Sequence, residues 1–344
     1  MSMKKSRVLL LVAVLAGAVA VYVTTAHRAE QARIARPLPA AASPAAGMVD
    51  AAVLLDDVRA LSSTDFEGRR TGTPGSFKAQ AYLQARLRDI GVAPFGRRYA
   101  QPFSFTHRSF HGLFSKDEPF STAYPDATNI IGVIPGTRTP ERYLVVSAHY
   151  DHLGVVNGRL YPGADDNASG VAAMLAIAAW FKAHPPLHSV VFAAFDAEEL
   201  GLRGSRAFLD ALPFGRDKLA VDLNMDMLAH NDSNQIFVAG TFHYPFLKPW
   251  LEQAAARSTV RVFLGHDRSQ LIAGAVEDWT DSSDHGPFHA AGIPFLYFGV
   301  ADHPDYHQPG DTFDHINQAF FIRVANLVVD TAVVLDRHLD ELKK

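Results

Sequence analysis

Val171–Leu200 reads VAAMLAIAAWFKAHPPLHSVVFAAFDAEEL, and its three parts decide the fold. Val171 to Ala183 is apolar nearly all round, so it predicts a heavily buried helix. Turn residues follow, and then Ser189 to Phe195 forms a strongly apolar, β-rich run that predicts a buried strand. Asp196, Glu198 and Glu199 end that strand abruptly. A buried helix, a buried strand and acids at the strand's end make one unit of an α/β protein.

The same alternation extends in both directions. Short β-rich runs occur at Asn129–Ile134, Tyr143–Ala148, Leu219–Asn224, Gln235–Ala239 and Pro294–Val300. Helical spacing marks Met48–Leu61, Ser76–Ile90 with Gly91 as its stop, Phe246–Arg257 and Ala319–Leu342. Strands alternating with helices predict an α/β sandwich with a largely parallel sheet. No repeat of solenoid or propeller period is present. In such sheets ligand sites gather at the carboxyl ends of the strands.

Composition narrows the chemistry. The 344 residues are 48% hydrophobic and 20% charged, ordinary for a chain with a real core. A formal net charge of −4 with no long basic run gives no electrostatic reason to expect nucleic acid. The absence of cysteine excludes disulfides, iron–sulfur clusters, thiolate zinc sites, cysteine nucleophiles and a lipidated N-terminal cysteine. Lys4, Lys5 and Arg7 precede an apolar run from Val8 to Val23, then Thr24, Thr25 and Ala26. Residues 1–26 therefore read as a signal peptide or an uncleaved anchor, placing the rest outside the cytoplasm, periplasmic, secreted or membrane-anchored. The membrane is expected as a partner only through that segment. Residues 27–47, with PLPAAASPAAG at Pro37–Gly47, read as a linker with no capacity to form a core, leaving 48–344 as the folded domain.

Five segments at strand ends carry clustered imidazoles and carboxylates. Ser147-Ala-His149-Tyr-Asp151-His152 places a carboxylate two residues after a histidine, as suits a metal ligand held through its other ring nitrogen, though a polar strand end explains it too. Gly163-Ala-Asp165-Asp166-Asn167-Ala-Ser-Gly170 opens the buried helix; either Asp alone could be a cap, but three such residues in one glycine-bounded loop exceed that need. Asp196-Ala-Glu198-Glu199 offers two adjacent carboxylates, one to bind a cation and one to handle protons, or simply an acidic helix start. In Asn224-Met-Asp226-Met227 an Asp is enclosed by apolar residues, costly unless it is paired, hydrogen-bonded or ligating. Asp302-His303-Pro-Asp305-Tyr-His307-Gln-Pro-Gly-Asp311 is a constrained loop with five such groups, or a solvated acidic one. Together they set His, Asp, Glu, Asp and His after successive strands of one sheet. Oxygen and nitrogen ligands suit zinc, or less readily manganese or cobalt, and a carboxylate shared by two ions would hold them about 3.5–4 Å apart.

In this order the segments HYD, GADDNASG, AEELGLRGS, NMDM and DYHQPGDT resemble the M28 family of zinc peptidases, from about Phe66 (FEGRRTGTPG) to Ile316. The resemblance implies a three-layer α/β/α sandwich around a mixed, largely parallel sheet and a co-catalytic pair of zinc ions. His149, Asp166 and Asp226 would hold one ion, and Asp166, Glu199 and His307 the other, with Asp166 bridging. Glu198 would be the general base and Asp151 would orient His149; Asp165 and His152 are not ligands in this pattern. It also implies a cis peptide after Asp166, a cleft lined by Ser283-Asp284-His285, and peptide substrates with a free amino terminus. Two departures stand out: there is little room for a protease-associated domain before His149, and Thr280 stands about where some members have a cleft tyrosine. A glutaminyl-cyclase-like acyltransferase, a carboxypeptidase and a non-catalytic relative remain the rivals; a serine hydrolase lacks its Gly-x-Ser-x-Gly elbow.

Overall fold

Alternate side chains of the central strands enter different cores, as a sheet covered on both faces requires. In the computed structural model, residues 19, 21–25, 28–29, 36–43, 47–109, 120–268 and 276–342 are described. Residues 1–26, read from the sequence as a signal peptide or anchor, fall largely outside the described residues. The first elements are α1 (Ala51–Leu61), α2 (Pro74–Ile90), β1 (Ala93–Pro94), β2 (Ala100–Ser109), β3 (Phe120–Ile134) and β4 (Thr139–His149). A small hairpin, β5 (Gly154–Val156) and β6 (Arg159–Tyr161), precedes α3 (Gly170–Ala183), β7 (His188–Phe195), α4 (Arg203–Asp210) and β8 (Leu219–Met225). β9 (Gln235–Ala239), α5 (Lys248–Ala255), β10 (Arg261–Leu264), α6 (His285–Ala290), β11 (Phe295–Gly299) and α7 (Gln318–His338) complete the order.

The main sheet runs β1-β3-β7-β4-β8-β11-β9-β10, with β2 paired to β3. Its centre is parallel: β7 with β4, β4 with β8, and β8 with β11. The flanking pairs β3–β7 and β9–β11 are antiparallel, which makes the sheet mixed. Val190, Phe192 and Ala194 of β7 pack into a large core with residues of α1, α2, α3, α5 and α7. Val191, Ala193 and Phe195 face Phe208 of α4 and Phe288 of α6 on the opposite side. The result is the expected sandwich of three layers. α3 is as buried as its sequence implies, with nine of its 14 residues buried.

One expectation changes. Within the stretch read as a linker, Leu38 donates its amide to the Val262 carbonyl (2.7 Å), and Pro37 bridges Phe263. Leu38 is buried in the main core. The unpaired edge of β10 supplies the hydrogen bonds that composition alone could not reveal. Helix α7 with its final turn, Gln318–Glu341, is long and apolar enough to cross a membrane, but 67% of its apolar window is buried in the fold. Here that apolar surface covers the sheet.

Candidate metal centre

The parallel strands β4, β7, β8 and β11 all point their carboxyl ends to one place, and the acids and imidazoles that follow them converge there. His149 is the last residue of β4 and is fully buried. Its Nδ1–H donates to the backbone carbonyl of Asp151 (3.1 Å), which leaves Nε2 with a lone pair that could bind a metal. That Nε2 lies 3.2 Å from Asp226 Oδ1 and 3.3 Å from Asp166 Oδ1. His307 Nε2 lies 3.0 Å from the other Asp166 oxygen, Oδ2, and 3.3 Å from Glu199 Oε2. Asp166 is thus reached on its two oxygens by two different histidines.

The turn bearing Asp166 is tied down from several directions. Asp311 accepts the amides of Asp165 (2.8 Å) and Asp166 (3.0 Å), one on each oxygen. Asn167 donates its side-chain amide to the Met225 carbonyl (3.0 Å), joining this turn to the residue before Asp226. A Cβ on Gly170 would stand 2.4 Å from that same carbonyl, so only glycine lets α3 begin here. The peptide after Asp166 is cis, as the resemblance implies. Ala197, Met227 and His307, each beside or at a cluster residue, have left-handed backbones, a modest strain common at functional sites.

Asp151 acts somewhat differently from expectation. Its carboxylate is 3.6 Å from His149 Nδ1, beyond hydrogen-bond reach, and instead accepts the amides of Glu198 (3.0 Å) and Glu199 (3.4 Å). The carbonyl of Asp151 orients the histidine while its carboxylate orients the two glutamates. His152 is also brought in, although the sequence pattern excludes it from the ligands. Its Nδ1 lies 3.0 Å from Glu199 Oε1 and 3.6 Å from Asp166 Oδ2. Single donor atoms of His149, Asp166 and Asp226, and of His152, Asp166 and Glu199, each gather within 4.8 Å. Among the described residues no lysine or arginine forms an ion pair with Asp166, Glu199 or Asp226; their partners are imidazoles. Buried carboxylates whose close partners are imidazoles rather than lysine or arginine fit divalent zinc-type ions.

Electrostatics separates the two glutamates. Burial pushes Glu198 well above the usual carboxylate range, against the pull of His149 and with help from Glu199, Asp226 and Asp284. Burial also works to raise Glu199, but His152 and His307 outweigh it and hold it low. Asp166 is depressed further, with His152, His149 and His307 overcoming its burial. Burial works to lower His307, but the Asp166 and Glu199 carboxylates outweigh it and raise the ring to about 10. Around the cluster, burial raises Asp196, Asp284 and Asp311 each to about 7.

Several contributors were not singled out from the sequence. Arg69, in FEGRR, is completely buried and donates to the carbonyls of Tyr150 (2.8 Å), Leu61 (2.6 Å), Pro162 (2.7 Å) and Gly163 (2.8 Å). It braces the end of β4 against the turn that carries Asp166. A cleft of about 150 Å³ opens over the cluster, with Met227, Trp279 and Val300 as apolar walls and Glu277, Asp302, Tyr297 and Tyr306 among its polar ones. Tyr306 stacks on His307 at 4.0 Å. Thr280 is occupied with Asp278 and His243, whereas Tyr297 and Tyr306 put phenols in the cleft. Asn224, two residues before Asp226, donates to Ser283 (3.0 Å), tying the Ser283-Asp284-His285 segment to the site.

Residues 129–332 match the family model of peptidase family M28, more than half of the chain. The chain belongs to family M28. The resemblance read from its five motifs is borne out. It is 33% identical over 225 residues to aminopeptidase YwaD of Bacillus subtilis, covering 62% of this chain and 46% of that protein. The chain spans about half the length of the curated relatives it matches. Its fold is that of the zinc aminopeptidase BSAP of Bacillus subtilis, with a TM-score of 0.65 at 20% identity over 83% of this chain and 95% of the other. The glutaminyl cyclase of Fimbriiglobus ruber shares the fold almost as closely, with a TM-score of 0.63 at 23% identity over 87% of this chain and 99% of the other.

Proposed function

We propose that the chain is a two-zinc aminopeptidase of family M28, exported by residues 1–26. The observation that carries this reading is the double approach to Asp166: His149 meets one carboxylate oxygen and His307 the other. A bridging carboxylate needs that arrangement. His149, Asp166 and Asp226 would hold one zinc ion, and Asp166, Glu199 and His307 the second, with His152 beside it. When bound, the pair supplies Lewis acidity and lowers the pKa of water toward neutrality.

The protein's own groups do the rest. Glu198, buried and disposed to carry a proton, takes one from the attacking water and delivers it to the leaving amine. Asp151 holds the Glu198 amide, fixing where that carboxylate sits. Glu277 and Asp302, in a cleft with no Lys or Arg among its described lining residues, suit a substrate ammonium group, and the apolar walls suit the first side chain. Fixing the first peptide bond in this way is a large catalytic term, since a misplacement of about 1 Å can cost roughly 10²-fold.

One observation favours carboxylate recognition instead. Arg70 lines a neighbouring cleft of about 230 Å³ that shares His307. A leucine-type aminoacyl substrate, its N-acetylated form and a peptide ending in glutamate separate the readings. Cleavage of the first alone is expected. Equal cleavage of the acetylated form, or cleavage of the glutamate peptide alone, would remove the aminopeptidase assignment, and conversion of N-terminal glutamine without hydrolysis would indicate cyclase chemistry.

A further inference from the structure

Two histidines outside the catalytic cluster each keep a buried ring nitrogen without a partner. His230 follows β8 and His303 follows β11, and their rings stack with centroids 3.8 Å apart and planes at 23°. The Nδ1 atoms of both are buried and make no hydrogen bond. Leaving such an atom unsatisfied is costly, so two in one stacked pair call for an explanation. In His303 the second nitrogen is already committed. Its Nε2 lies 3.1 Å from Asp165 Oδ2, and the side chain is only 6% exposed. A carboxylate accepts, so Nε2 carries the proton, and in the neutral ring Nδ1 keeps its lone pair. A histidine held through one nitrogen by a carboxylate, with the other free, is the form in which histidines bind metals.

A third donor stands at the same place. Asp305 brings a carboxylate, and one donor atom each from His230, His303 and Asp305 lie within 4.8 Å of one another. The Asp305 carboxylate is itself steadied by His315, whose Nδ1 is 3.1 Å away. We propose that His230, His303 and Asp305 form a third cation site, separate from the catalytic cluster, that takes zinc or a similar divalent transition ion. Two imidazoles and one carboxylate suit such ions, whereas calcium and magnesium prefer oxygen ligands.

The position gives the site a task. Asp305 lies two residues before His307, and the Asp165 that holds His303 directly precedes Asp166. An ion here joins the loop after β8 to the loop that carries His307 and braces the turn that carries Asp166. It acts as a clamp on the geometry of the catalytic cluster without touching substrate.

The test is metal stoichiometry on the full chain. Protein equilibrated with zinc at low micromolar free concentration is freed of unbound metal and analysed for zinc per chain, beside His230→Phe and Asp305→Asn. Phenylalanine preserves the ring stack while removing the nitrogens, and the second variant keeps the test valid should the first fail to fold. The wild type is expected to hold one zinc ion per chain more than either variant, whatever the catalytic cluster holds. Cobalt titration followed by visible absorption should show the same missing equivalent. Equal metal content in all three proteins would overturn the third site and leave the catalytic assignment untouched.

Discussion

Glu198 and Glu199 are neighbours in sequence, yet the fold drives their carboxyls in opposite directions, one up by burial and one down by His152 and His307. That split predicts separable phenotypes. Glu198→Gln should keep zinc and substrate binding while kcat falls by roughly 10²–10⁴-fold. Glu199→Gln should lose metal first, read as lower zinc content after gel filtration. Equal, mild effects on both properties would show the pair misassigned. At this scale the candidate ligands were readable because each is a charged or imidazole group at the end of an apolar strand, where polarity stands out. Arg69 and Asp311 were harder to read. Their work is to satisfy backbone groups of distant segments, Gly163 for one and Asp165 and Asp166 for the other, and nothing local marks such a contact. His152 is the converse case: the motif leaves it out of the ligands, and only the fold shows its ring turned toward Glu199.

Among the elements, α1 and α2 are joined by a paired charge. Arg86 of α2 donates through Nε and Nη2 to the two oxygens of Asp57 of α1, at 2.6 and 2.9 Å, with Asp57 only 3% exposed. Asp57→Ala strands a partly buried guanidinium, and urea unfolding should show a loss of about 3 kcal/mol. The double variant Asp57→Leu with Arg86→Met should recover most of it, because neither charge is then left alone. A loss no greater than that of an exposed pair would show the contact to be incidental. Long, periodic elements such as α3, β4, β7 and α7 were legible, since burial on one or all faces writes itself into apolar spacing. The strands β2 and β10 were not. β2 carries Pro102, β3 carries Pro125 where the two pair, and proline reads as a break. β10 is four residues long, too short for alternation to register, and its pairing with Leu38 lies far away in sequence.

In the molecule as a whole, the parallel centre of the sheet drives Asp166, Glu198, Glu199 and Asp226 together, with imidazoles as the close partners of Asp166, Glu199 and Asp226. Bound cations should therefore stabilise the entire fold and not merely the site. An ion present at about 100 times its dissociation constant adds about 2.7 kcal/mol, so a strong chelator should lower the urea midpoint measurably, and zinc should restore it. An unchanged midpoint, with zinc shown to be removed, would mean that the carboxylates tolerate one another without metal. The parallel centre was foreseeable from the alternation of elements; its antiparallel flanks depend on pairings that no single segment encodes. The Asp311 brace has one more consequence, in the timing of synthesis. A chain that has emerged from the ribosome only as far as α6 already carries His149, Asp166, Glu198 and Asp226. It has neither His307 nor the carboxylate that pins the Asp166 turn. The cluster is therefore completed late, after the sheet is made, and a nascent chain stalled before that point lacks both His307 and the brace on the Asp166 turn.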